Sequence, residues 1–183
     1  MPQYKIHLTV DPADLDEAVR LLACTGNTKG LCFMNWTPRK GMIQDAMTSS
    51  VFNLKDIETA LMYTNGLRKD LENSNVPVIR AKIETSPFNK TEEPGQYWES
   101  HIPIAGGWNA PPRAMGWLFS RNIQKKNSWF TFRSNIKLPF DEHIDTYNHI
   151  VSDLVYGKFS LAGKPHHERV LYDSNRDHDK DWE

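Results

Sequence analysis

The first apolar and polar positions of the chain alternate strictly. Over residues 4–10, Tyr4, Ile6, Leu8 and Val10 fall on one face, and Lys5, His7 and Thr9 on the other, the pattern of a half-buried strand. Asp11-Pro12 follows as an N-cap with proline at the first helical position. Leu15, Ala18, Val19 and Leu22 then recur at helical spacing, and Gly26 marks a stop. Residues 30–36 are almost all apolar and predict a buried second strand, and residues 42–51 hold a short third one. Residues 54–73 form a second helical pattern with Leu54, Ile57, Leu61 and Leu71 inward, broken by Asn73-Ser74-Asn75. From residue 76 to 85 alternation returns, with Ile79, Ala81 and Ile83 against Arg80, Lys82 and Glu84.

This β-α-β-(β)-α-β order is that of a ferredoxin-like unit, in which both helices cover one sheet face. The first and last strands then lie side by side, so Lys5, His7 and Thr9 neighbour Arg80, Lys82 and Glu84 on the open face. A linker of two prolines, a glycine and polar groups spans 87–96. Beyond it come a strand at 97–104, a Gly/Trp/Pro segment at 105–112, an irregular or helical stretch to 126, and a strand at 128–137. A helix follows, marked by Phe140, Ile144, Tyr147, Val151 and Leu154, then a loop at 157–165 and a final strand at 167–173. Residues 174–183 are a charged tail, expected to be solvated.

Lys5-Ile6-His7-Leu8-Thr9-Val10 can be laid on Glu99-Ser100-His101-Ile102-Pro103-Ile104, each opening its half with a central histidine. The fold predicted is therefore α+β. Two ferredoxin-like halves, 1–86 and 97–173, form one bilobal domain by internal duplication, with their open faces meeting at a central groove. The groove collects Lys5, His7, Thr9, Arg80, Lys82 and Glu84 from the first half and Glu99 and His101 from the second. Thr131, Arg133 and Asn135 are the better choice of face on their strand, because Phe130, Phe132 and Ile136 suit the core. His167 and Arg169 join the set. Arg and Lys converging with two histidines make a local cationic face suited to a phosphate or carboxylate. A plain solvated sheet face with cross-strand charge pairs would carry the same residues.

Composition makes that cationic character local. The 183 residues are 39% hydrophobic and 25% charged, with a net charge of −1, so no global field draws the chain to nucleic acid or membrane. No apolar run approaches the roughly 18 residues of a membrane span, and no leader pattern opens the sequence. Two cysteines, Cys24 and Cys32, sit in apolar segments and read as reduced thiols, which suits a cytoplasmic protein. Residues 105–112 suit a rim or lid, and Trp108 within it and Trp117 beyond it can stack on a nucleobase.

His7-Leu8-Thr9-Val10 resembles the H-x-[ST]-hydrophobic motif of the two-histidine (2H) phosphoesterases, whose members are built from two related lobes. His101-Ile102-Pro103-Ile104 stands where a second motif falls, with proline in the place of the hydroxyl residue. The resemblance implies a metal-independent hydrolase with no cofactor. In it His7 and His101 form the general base and acid, Thr9, Lys5, Arg80, Lys82, Thr131, Arg133, Arg169 and Trp108 hold the ligand, and Glu84 and Glu99 orient the imidazoles. The partner implied is an anionic small molecule, a nucleotide or an RNA end. The opening strand and helix are also similar to a vicinal-oxygen-chelate domain, where a strand histidine ligates metal, but no matching ligand set follows, and no metal site is expected. Two further readings stand beside the enzyme: a non-catalytic module sequestering an anionic nucleotide-type ligand in the same groove, which Pro103 favours, and a protein-binding adaptor using residues 105–119. Oligomeric state is not legible.

Overall fold

A computed structural model describes residues 1–25, 27–37, 41–89, 95–105, 118–122, 128–137, 139–156 and 159–175. The element order is β1 (Gln3–Val10), α1 (Leu15–Leu22), β2 (Lys29–Thr37), β3 (Gly41–Asn53), α2 (Ile57–Asn73), β4 (Val78–Thr85), β5 (Tyr97–Ala105), β6 (Leu118–Asn122), β7 (Ser128–Asn135), α3 (Phe140–Tyr156), β8 (Ser160–Leu161) and β9 (His166–Asp173), with short 3-10 turns on either side of α1. The mixed α/β character is as expected.

Local chemistry sets the helix ends. Asp11 accepts from the Ala13 amide at the turn leading into α1. Asp56 caps α2 by accepting from the Thr59 amide at 2.8 Å and from its hydroxyl at 2.6 Å. Asn75, with φ of 61°, ends α2: the Val76 amide returns to the Leu71 carbonyl and that of Asn75 to Glu72.

All strand pairings are antiparallel, and the sheet runs β7-β6-β2-β3-β1-β4-β9-β5-β8. β7 also pairs over its full length with Tyr97 to Ile104 of β5, so the sheet curls until eight strands form a ring. The segment before residue 126, expected to be irregular or helical, contributes β6, which joins β2 to β7. The third strand, expected to be short, runs for 13 residues.

Alternation gives every strand an outer and an inner face. The outer faces carry the cores. Tyr4, Ile6, Leu8, Val10, Ala81 and Ile83 pack under α1 and α2 with Leu15, Ala18, Leu22, Leu67 and Leu71. Ile102, Ile104 and Phe130 pack under α3 with Tyr147, Ile150 and Leu154. The face of α3 differs from the expectation: His143 and Ile150 are buried with Tyr147 and Leu154. The inner faces point into the ring. No described helix is long and apolar enough to cross a membrane.

Candidate functional site

The ring encloses a cavity of about 250 Å³. The β1–β4 register sets Lys5 opposite Glu84, His7 opposite Lys82 and Thr9 opposite Arg80, as the alternation predicted. Across the ring, β5 sets Glu99 opposite Arg133 and His101 opposite Thr131 on β7, with Glu168 and His166 of β9 on its other side. Lys5, His7, Arg80, Lys82, Glu84, Glu99, His101, Thr131, Arg133, His166 and Glu168 all line this one cavity. Thr9 is buried on the inner face of β1 but does not line it.

Two of the expected placements change. Arg169 faces outward, because a bulge between β4 and β9 and the parity of β9 turn His166 and Glu168 inward instead. Its guanidinium donates to the Asn89 carbonyl at 2.7 Å and lies over the Trp98 ring. His167 lies under α3, its Nδ1 2.7 Å from the Ser100 hydroxyl. Trp108 and residues 176–183 of the tail lie outside the described residues, as do Trp117 and residues 90–94 of the linker.

The larger correction concerns sign. A cationic face was expected, but each cation meets a buried carboxylate. Lys5 binds Glu84 at 3.2 Å and also Glu168. Lys82 binds Glu99 at 2.9 Å and also Glu84. Arg133 donates to Glu99 at 2.6 Å. Arg80 forks onto Asp173 through two bonds of 2.8 and 2.5 Å, and Tyr97 donates to the same carboxylate. Among the lining residues, Lys5, Arg80, Lys82 and Arg133 are balanced by Asp45, Glu84, Glu99 and Glu168. Glu168 and Asp173 were missed as partners, because nothing in a single strand says which strand of the other half will face it.

The ion pairs set the protonation states. Burial pushes the Glu84 and Glu99 carboxyls up, but Lys82 and its neighbours more than reverse this and hold both well below the usual range. Burial also works against the Lys5 ammonium, yet Glu84 and Glu168 push it up to about 12.

The two histidines sit in different hydrogen-bonding states. His7 is buried, with Nε2 3.1 Å from the Glu84 carboxylate. An ionised carboxylate only accepts, so the proton sits on Nε2, and in the neutral ring Nδ1 carries the lone pair. Nδ1 is buried and has no hydrogen-bond partner among the described residues. His101 is fully engaged: Nε2 lies 3.2 Å from Glu99 and 3.3 Å from Glu168, and Nδ1 3.0 Å from the Thr131 hydroxyl. Burial disfavours its charge, but the bonds to Glu168 and Glu99 dominate and raise it to about 9, so it is an imidazolium at neutral pH. His166 stacks on it, with ring centroids 6.3 Å apart.

No metal was expected, yet Glu99, His101 and Glu168 bring three potential ligand atoms within 4.8 Å of one another. Both carboxylates of that trio are already bound by Lys82, Arg133 and Lys5. The donor set therefore fits a proton-holding network better than a dication.

Compared with family models, curated proteins and solved structures, the chain matches none.

Proposed function

We propose that the chain is a phosphoesterase-like enzyme whose proton transfers need no metal, acting on a small phosphodiester or cyclic phosphate of a nucleotide type. His7 Nδ1 takes a proton from the attacking water as its oxygen bonds to phosphorus. His101 gives its proton to the leaving oxygen as the P–O bond breaks. Lys5, Lys82 and Arg133 offset the charge that builds on the phosphoryl oxygens. The observation that carries this reading is the pairing, in one cavity, of an imidazole with a ring nitrogen unpartnered among the described residues and an imidazole held protonated. Thr131 supplies beside His101 the hydroxyl that Pro103 lacks. The near balance of charge favours a ligand with a single negative charge over a polyphosphate.

The same reading takes the chain as a duplicated β-α-β-β-α-β unit in the cytoplasm. In support, the strand orders β2-β3-β1-β4 and β6-β7-β5-β9 correspond, and each histidine lies on the first strand of its half.

Incubation with adenosine 2′,3′-cyclic phosphate and with short linear oligonucleotides in EDTA tests it. Turnover is expected, lowered at least about 100-fold by His7→Ala and by His101→Ala. A second reading, a binding module without turnover, is favoured by the ion pairs that already neutralise every lysine of the cavity and by Pro103 on the inner face opposite Trp129. It predicts the same ligand recovered unchanged with a raised melting temperature. The adaptor reading rests on residues 105–119, of which 106–117 lie outside the described residues.

A further inference from the structure

The cavity has a second wall that the acid–base reading does not use. Leu31 and Phe33 from β2, Met47 from β3 and Trp129 from β7 line it, and each stays part-exposed within the ring. The outward-facing Ile6, Leu8 and Ile102, by contrast, are 0–1% exposed under their helices. Apolar surface left open in the middle of a folded chain is unfavourable until something covers it. Phe33 and Trp129 stand edge to face, with centroids 5.6 Å apart and planes at 87°, forming a corner of two aromatic surfaces.

A polar group sits on the same wall. Asn35 of β2 is 3% exposed and lines the cavity. Its Nδ2 donates to the Asp45 carboxylate at 3.3 Å, which fixes which end of the amide is which. Its Oδ1 is then a buried acceptor with no hydrogen-bond partner among the described residues. Apart from Asp45 of β3, which Asn35 binds, the charged lining groups come from β1, β4, β5 and β9 and from Arg133 of β7. The cavity is thus two-sided: most of its charge lies on one side, and the other is apolar and aromatic around the Asn35–Asp45 pair.

We propose that the ligand carries a planar heteroaromatic ring with an N–H donor, which lies against Phe33 and Trp129 and donates to Asn35 Oδ1, while its anionic group meets His7, Lys82 and His101. This rests on the reading of the cavity as a substrate site and names the other end of the substrate. A ring covers the exposed apolar wall, and its N–H satisfies the acceptor that the protein leaves open. A purely aliphatic phosphate would do neither.

Equilibrium binding by calorimetry separates the two claims. Adenosine 2′,3′-cyclic phosphate should bind at least about tenfold more tightly than 1-O-methylribose 2′,3′-cyclic phosphate, the scale of one base–aromatic stack. Trp129→Ala and Phe33→Ala should reduce that preference to within about threefold, whereas Trp129→Phe, which keeps a ring, should retain most of it. Far-ultraviolet circular dichroism of each variant excludes misfolding as the cause, and the Phe variant carries the comparison if an Ala variant fails to fold. Equal affinity for the two probes, or a preference untouched in folded Trp129→Ala and Phe33→Ala, overturns the ring proposal even if turnover is found. Ring-dependent binding without turnover upholds it and sinks the hydrolase.

Discussion

His101, part-buried inside the ring, and His143, on the inward face of α3, are driven in opposite directions by their surroundings. His101 meets two carboxylates and is raised to about 9. His143 is fully buried, bonded to the Ser100 and Ser134 hydroxyls at 2.6 Å and stacked on Phe132. Burial, with the nearby His167, lowers it to about 4. Hydroxyls bond to a neutral ring without rewarding its charge, whereas carboxylates reward it strongly. The two sides of β5 therefore bury polar groups on different terms: the inner side as balanced ions, the outer as a neutral chain through Ser134, His143, Ser100 and His167. Glu99 and His101 belong to the first, and Ser100 between them to the second.

The sharpest way to break this contrast is Glu99→Gln. It removes the charge that Lys82, His101 and Arg133 share and leaves buried cations uncompensated, so urea denaturation should report a loss of about 3–5 kcal/mol. His101 should then titrate lower in an NMR pH series.

Next come the two pH arms. His101 is raised above its unfolded value, so its contribution is complete below about pH 6.5 and is lost as pH rises toward 9. His143 is lowered, so its contribution is complete above about pH 6.5 and is lost as pH falls toward 4. Each arm amounts to about 3 kcal/mol at most. Denaturation midpoints across this range should fall on both sides, with His143→Phe flattening the acid arm only. A midpoint independent of pH would refute the contrast.

Ser100→Ala cuts the neutral chain at its middle and should cost about 2 kcal/mol, leaving the His101 titration where it was. Movement of His101 in that variant would mean the two networks are one. The smallest effect is expected from Thr131→Val, about 1 kcal/mol, with His101 falling modestly as its Nδ1 loses its partner.

Much of the ring was legible because period-two alternation fixes a face. Lys5, His7, Arg80, Lys82, Glu84, Glu99, His101, Thr131 and Arg133 were assigned to one surface and share one cavity. What failed was information that no single strand holds. The bulge in the β4–β9 pairing shifts parity, so His166 and Glu168 took the places expected of His167 and Arg169. β6 is five residues following a glycine- and proline-rich segment, and its strand character comes from the partners on both sides. His143 sits among Phe140, Ile144 and Tyr147, and its burial depends on two serines contributed by β5 and β7. The opposing carboxylates could be found only by knowing which strands meet.

The seams β2–β6 and β4–β9 are where the first and second halves of the ring are stitched together. Cut between residues 86 and 96, each piece would carry two unsatisfied strand margins, rows of backbone N–H and C=O groups seeking partners. Such a fragment is a template for its own kind, open to pairing with another copy along either margin. Covalent continuity of the halves then serves to keep the chain from recruiting its neighbours as well as to hold two unlike histidines in one chamber.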